Sequence, residues 1–171
     1  MEILSPFQIA FSLLVTLEPE LMGIISLSLG VSLAAVVLSL LIGLPFGAVL
    51  AAYSFPGRGA IIVVTNTLLG MPPVVVGLVI YLLVSRAGPF GFLGILYTPA
   101  AMMLAQTILV LPIAIALSRQ VFETLNTEYA PLFQSIGLGH ARWIAALVTE
   151  ARISLITIGL ACFGRAISEV G

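Results

Sequence analysis

Charged residues are so sparse in this chain that they leave three uninterrupted runs, each long enough to cross a lipid bilayer. The runs hold 37 residues between Glu20 and Arg58, 27 between Arg58 and Arg86, and 32 between Arg86 and Arg119. A helix rises about 1.5 Å per residue, so roughly 20 apolar residues cover a hydrocarbon core of about 30 Å. In lipid the backbone has no water to bond, and a long apolar run satisfies its own polar groups only as a helix. Spans are therefore predicted over about Met22 to Tyr53, Ala60 to Val84 and Thr98 to Ser118. A 61% hydrophobic, 8% charged composition lies far from the soluble average. The fold class that follows is an all-α polytopic membrane protein.

The flanks are shorter. Phe7 to Leu17, between Pro6 and Glu18-Pro19-Glu20, is too short to cross, and residues 1–20 read as an interfacial segment lying against the membrane. Glu2, with no basic residue before the first apolar stretch, argues against a secretory signal. A fourth helix from about Arg152 to Gly171 is long enough to cross but holds Arg165 and Glu169 within it. Positive residues favour the cytoplasmic side. An outside amino terminus puts Arg58, Arg119, Arg142 and Arg152 inside and only Arg86 outside, so residues 119–150 become a cytoplasmic loop of a multi-pass cell-membrane protein.

Several chemistries are excluded. All seven acids are Glu and all six bases are Arg, for a net charge of −1, which offers no basic surface for nucleic acid. Cys162 is a lone cysteine in an apolar run and reads as a packing residue. His140, the single histidine, has no partners for a catalytic or metal-binding constellation, so no catalytic and no metal residues are assigned. The chain has no lysine, and a P-loop needs one to reach nucleotide phosphates. The chain is therefore not read as an enzyme, and any ATP-driven motor must be a separate subunit.

Four features rise above the apolar background. Ser28, Ser32, Ala35, Ser39 and Gly43 share one helical face, with Gly47 a turn further on, either as a close-packing seam or as a pore lining. In the second span, Asn66, Gly70, Met71 and the pair Pro72-Pro73 predict a kink or break near the midplane. Such backbone either faces a solute route or is satisfied by neighbouring helices. Thr98-Pro99 fits a helix start, Pro45 and Pro112 should bend their spans, and Gln106 is the one strongly polar residue of the third span. Arg165 and Glu169, spaced i, i+4 with Ser168 beside them, form either a structural lock or part of a gate.

The loop from Arg119 to Arg152 carries six of the thirteen charged residues, yet its large apolar residues recur at helical spacing. Two short amphipathic helices are expected, separated near Gly137-Leu138-Gly139, where glycine can take the left-handed conformation. They either cover the inner span ends or dock a soluble partner.

Taken together these residues resemble the permease of a binding-protein-dependent ABC importer of the molybdate and sulfate class. In its loop motif, Glu-Ala-Ala, three residues, Gly, then Ile-x-Leu-Pro, Gly137 matches the glycine, while Pro131-Leu132-Phe133 and Leu147 to Glu150 replace the flanking parts. The blocks "FPGRG", "NTLLGMPPVVVGLVIYLLVSRAGPFGFLG", "SIGLG", "TEAR" and "FGRAISEVG" resemble the tungstate-type branch, whose loop departs from the class motif in this way. The resemblance covers about residues 24 to 171. It implies a type I importer transmembrane domain (MetI-like) over 21–171, incomplete at its carboxyl-terminal end.

It also implies coupling to an ABC ATPase through Pro131, Leu132, Phe133, Ser135, Gly137, Gly139 and Arg142. The translocation path or gate would involve Asn66, Met71, Pro72, Pro73, Gln106, Arg165, Ser168 and Glu169. No cofactor is expected on this chain, with Mg-ATP on the ATPase. The implied partners are that ATPase, an extracytoplasmic solute-binding protein, a second permease copy and the lipid bilayer. The cargo implied is an oxyanion, tungstate first, with molybdate, sulfate or another small solute as alternatives. An ion-coupled secondary transporter subunit is the reading from another class.

Overall fold

The computed structural model describes residues 19–135, 137 and 139–169. The interfacial reading of residues 1–20 falls largely outside them; Pro19 and Glu20 begin the first helix. Among the described residues five α-helices follow in chain order: α1 Pro19–Ala52, α2 Arg58–Leu69, α3 Pro73–Val84, α4 Pro99–Ser135 and α5 His140–Ile167, with a short 3-10 turn at Gly91–Leu93. Among the described residues there is no strand. The segments Pro19–Ala52, Pro99–Leu132 and Ala145–Ile167 are long and apolar enough to cross a bilayer, and α2 and α3 pass the same test as a bent pair.

The small-residue face of α1 is a seam. Ser32, Ala35, Ser39, Gly43 and Gly47 are all buried, and α1 makes its main packing with α4. A Cβ on Gly43 would sit 2.6 Å from Ala114 Cβ, and one on Gly47 would sit 1.9 Å from Ser118 Oγ and 2.8 Å from the Ile115 carbonyl. The absence of those Cβ atoms lets the two backbones approach closely enough for hydroxyls to bridge them. Ser118 Oγ lies 2.6 Å from the Ala114 carbonyl of its own helix and 3.2 Å from the Gly43 carbonyl across the seam. Ser39 Oγ lies 2.8 Å from the Ala35 carbonyl and 3.2 Å from that of Thr107. Of the two readings of this stripe, close packing rather than pore lining holds.

α5 completes the core. Val36 of α1, Val110 and Ala114 of α4, and Ile158, Cys162 and Ala166 of α5 form one buried cluster, so Cys162 is the packing residue its surroundings implied. The opposite faces are apolar too: Leu41, Val74 and Ile153 stand 67%, 80% and 71% exposed. An apolar surface of this extent suits lipid or a partner helix.

Two elements differ from the sequence expectation. The third span and the first half of the predicted loop are one 37-residue helix, α4, about 55 Å long and so well beyond the bilayer core. The second half of the loop is likewise the start of α5, which runs without interruption into the fourth span. The predicted pair of short helices is thus the protruding end of a long hairpin, because nothing at the membrane boundary interrupts helical hydrogen bonding. Pro45, Pro112 and Pro131 all lie inside helices that continue through them.

The seam makes a sharp prediction. In the full-length protein in detergent, Gly47→Val should lower thermal stability by at least 1–3 kcal/mol, because its Cβ meets backbone as well as a side chain. Gly30→Ala, whose Cβ meets nothing within 4 Å inside a helix, should leave the melting temperature unchanged or slightly raised. Equal melting temperatures for the two variants would contradict the seam.

Candidate translocation and coupling site

The second span is broken. α2 ends at Gly70, whose N–H bonds the Thr67 carbonyl at 3.2 Å; Met71 N–H bonds that of Leu68, also at 3.2 Å. Pro72 is extended (φ −63°, ψ 136°), Pro73 takes the first turn of α3, and the two helix axes meet at 106°. The missing proline N–H groups fall at a helix start, where no intrahelical donor is required.

Against this break lies a cavity of about 200 Å³ lined by Pro73, Val76, Gly77, Met102, Ala105, Gln106, Leu109 and Glu169. Gln106 is 7% exposed, and its Oε1 has no hydrogen-bond partner among the described residues. A buried amide oxygen left unpaired costs about 1–3 kcal/mol, a cost removed if water or solute enters the cavity. Glu169 lines the same cavity, and its Oε1 pairs with Arg165 Nη1 at 2.7 Å.

The eight residues expected at a path or gate are therefore not equivalent. Pro73, Gln106 and Glu169 meet at one cavity, and Arg165 joins them through its ion pair. Met71 lines a neighbouring apolar cavity of about 240 Å³ in the crook of the break, with Leu68, Ile108 and Pro112. Asn66 and Pro72 are exposed, as is Ser168, whose Oγ donates to the Arg165 carbonyl at 2.8 Å.

At the other end, α4 and α5 form the hairpin. Gly137 has φ +61°, the left-handed value expected of the turn, and Gly139 is extended (φ −68°, ψ 151°) and caps α5, its carbonyl accepting from Trp143 N–H at 3.0 Å. A buried cluster holds the hairpin together and ties its base to α1: Phe122, Leu147 and Ala151 are buried, with Leu125, Tyr129 and Trp143 of the hairpin and Ala48 and Ala51 of α1 packed on them. Trp143 Nε1 donates to Asn126 Oδ1 at 3.1 Å and Tyr129 Oη donates to Glu150 Oε1 at 3.2 Å, which fixes the register of the two helices. Pro131, Leu132, Ser135 and Arg142 are exposed near the tip. Phe133 lies in α4, and its side chain falls outside the described residues.

One group escaped the sequence reading. The Glu123 carboxylate accepts from Arg58 Nη2 on one oxygen and from Arg119 Nη1 on the other, while Arg58 Nε donates to the Leu50 carbonyl at 2.7 Å. The i, i+4 spacing of Arg119 and Glu123 was visible; the contact to Arg58, 65 residues away, was not. Both arginines belong to the set assigned to one membrane side, and they share one carboxylate.

Comparison with known proteins follows the same lines. No protein-family model matches the chain. It is 43% identical over 152 residues to a "probable anion ABC transporter permease protein" of Haloferax volcanii, covering 88% of this chain and 65% of that protein. It is 34% identical over 165 residues to the tungstate uptake system permease protein TupB of Peptoclostridium acidaminophilum, covering 96% and 72%. The molybdenum transport system permease protein ModB of Escherichia coli K12 matches at 28% identity, covering 90% and 70%. The chain thus spans just under two thirds of the first of these relatives and somewhat more of the other two. With a helical hairpin projecting from apolar spans and this identity across nearly its whole length, the chain belongs to the permease family of ABC transport systems that includes the tungstate and molybdenum permeases.

Proposed function

We propose that this chain is the membrane subunit of an ATP-driven importer that carries a tetrahedral oxyanion, tungstate first, across the cytoplasmic membrane. The observation that carries the mechanism is the hairpin of α4 and α5, which is continuous with two spans and so turns a push at its tip into motion of the membrane helices. The substrate rests on the tungstate permease relative, aligned over 96% of the chain. The motor, with its Mg-ATP, is a separate ABC ATPase that docks on the exposed tip around Pro131, Leu132, Phe133, Ser135, Gly137, Gly139 and Arg142. An external binding protein delivers the anion, and a second permease copy completes the pathway. The amino terminus faces outside, as the arginine distribution supports.

ATP-driven closure does work only if the inward- and outward-facing states bind the partners differently. The cavity of Pro73, Gln106 and Glu169 is the stretch of path this subunit contributes, bounded by the Arg165–Glu169 pair. The unpaired group in it is an amide oxygen, an acceptor that takes a hydrogen bond from water around the anion and not from the anion itself, so it does not hold the cargo, as a path requires.

Reconstituted full-length permease with its ATPase and binding protein should take up tungstate only when ATP is supplied. Calorimetry of the binding protein against tungstate, molybdate and sulfate ranks the cargo. Uptake driven by an ion gradient without ATP would replace this reading with that of a secondary transporter.

Two variants test the parts. Gly137→Val forces a β-branched residue into a left-handed conformation, at a cost of about 1–2 kcal/mol, in a position with open space around it. Uptake should drop severalfold while membrane insertion is retained, and unchanged uptake would remove the tip from the coupling path. Gln106→Leu removes a buried unpaired amide, so the melting temperature should hold or rise by the equivalent of about 1 kcal/mol while uptake falls. A packing role alone predicts the same stability gain with uptake intact.

A further inference from the structure

We infer that Glu123 is a positioning residue that transmits movement of the cytoplasmic hairpin to the broken span, a role that rests on the coupling reading above. Glu123 lies one turn beyond Arg119, the first charge after the long apolar run of α4, and beside Phe122, which is buried in the cluster between the hairpin and the end of α1. Any tilt of the hairpin therefore moves its carboxylate. That carboxylate is held in orientation by Arg119 on its own helix and presents its other oxygen to Arg58, the first residue of α2.

Arg58 has a second anchor. Its Nε donates to the carbonyl of Leu50, in the last turn of α1, where carbonyls lack intrahelical donors. One guanidinium thus ties the end of α1 and the start of α2 to the hairpin. Gly57, at φ +93°, makes the turn that sets Arg58 at this helix start.

Besides this link, α2 packs mainly on α4. Thr65 is its one buried residue, and Val63 and Val64 are exposed. Its 12 residues form a rod of about 18 Å that leads straight to the break at Gly70 to Pro73, and the first turn of α3 beyond the break lines the Gln106 cavity. Displacement of Arg58 is delivered at the cavity because the helix between them is stiff. The link is charge-assisted and two-sided, and its side chains are only 19% to 32% exposed, so water competes weakly for the contacts.

The test uses the full-length permease with its ATPase in proteoliposomes, measuring tungstate uptake and ATP hydrolysis for wild type, E123Q, R58Q, R119Q and R58Q/E123Q. Hydrolysis should stay near wild type while uptake per ATP falls roughly five- to tenfold in E123Q and R58Q. The double variant should be no worse than either single one, because both remove the same link. R119Q, which leaves the contact between helices in place, should lose less.

Uptake and hydrolysis falling in parallel, additive losses, wild-type coupling in E123Q, or R119Q as uncoupled as R58Q would each overturn the assignment. E123Q and R58Q break the link from opposite sides, so failure of one to accumulate leaves the other to decide. Absence of ATP-dependent uptake in the wild type would instead refute the importer reading, and the role of Glu123 with it.

Discussion

The packing of α1 on α4 through Gly43, Gly47, Ala114 and Ser118 is the contact on which the other features depend. Between helices in lipid there is no hydrophobic gain to hold a pair together, because acyl chains are as apolar as the side chains they replace. What remains is dispersion at short range and hydrogen bonds between backbones brought close. A glycine whose Cβ would fall 1.9 Å from Ser118 Oγ supplies the first, and the hydroxyls of Ser39 and Ser118 supply the second. Fixing α4 against α1 fixes the level of Gln106, Glu123 and the hairpin, which all lie on or continue from α4.

Proline shows why context decides a helix's fate. Pro45, Pro112 and Pro131 each remove one donor, yet their helices continue. At Pro72-Pro73 two donors are lost in succession and a glycine stands two residues ahead, so the helix ends at Gly70 and a new one starts at Pro73. A single missing hydrogen bond is tolerated inside a packed helix, whereas a glycine followed by a proline pair supplies both a stop and a start signal. That difference locates the break at the one place in the span where the chain can turn through 106° without leaving donors unpaired at the turn.

The spans, the seam and the break were legible because each leaves a local periodic or compositional mark: charge-free runs, small residues every three or four positions, paired prolines. The turn at Gly137 was legible for the same reason. The helical lengths were not, since a change from apolar to amphipathic composition at Arg119 marks the membrane boundary and says nothing about the helix ending there. Nor was Arg58 to Glu123, a contact between residues on different helices that depends on how α2 and α4 are packed. The charge distribution placed both arginines on one side but could not pair them. Likewise Arg165 and Glu169 were visible as a pair, while the meeting of Glu169 with Gln106 and Pro73 at one cavity depends on how α3, α4 and the end of α5 pack.

Polarity in this chain is sparse enough that its unpaired members carry information. The membrane-level charges of α5 are paired with each other, and the serines and threonines of the spans mostly bond carbonyls one turn back. Among the described residues, two buried side-chain oxygens have no partner, Ser32 Oγ and Gln106 Oε1. A serine can turn its hydroxyl to the carbonyl four residues before it at little cost. Gln106 has no such local solution, because its oxygen needs a donor and the backbone N–H groups of a mid-helix turn already bond carbonyls. A fold that pairs nearly every other polar group has little structural reason to bury that one unpaired. Water in the cavity, an anion's hydration shell included, would donate to it, so the orphan amide oxygen beside a broken helix points to a wet cavity rather than a dry core.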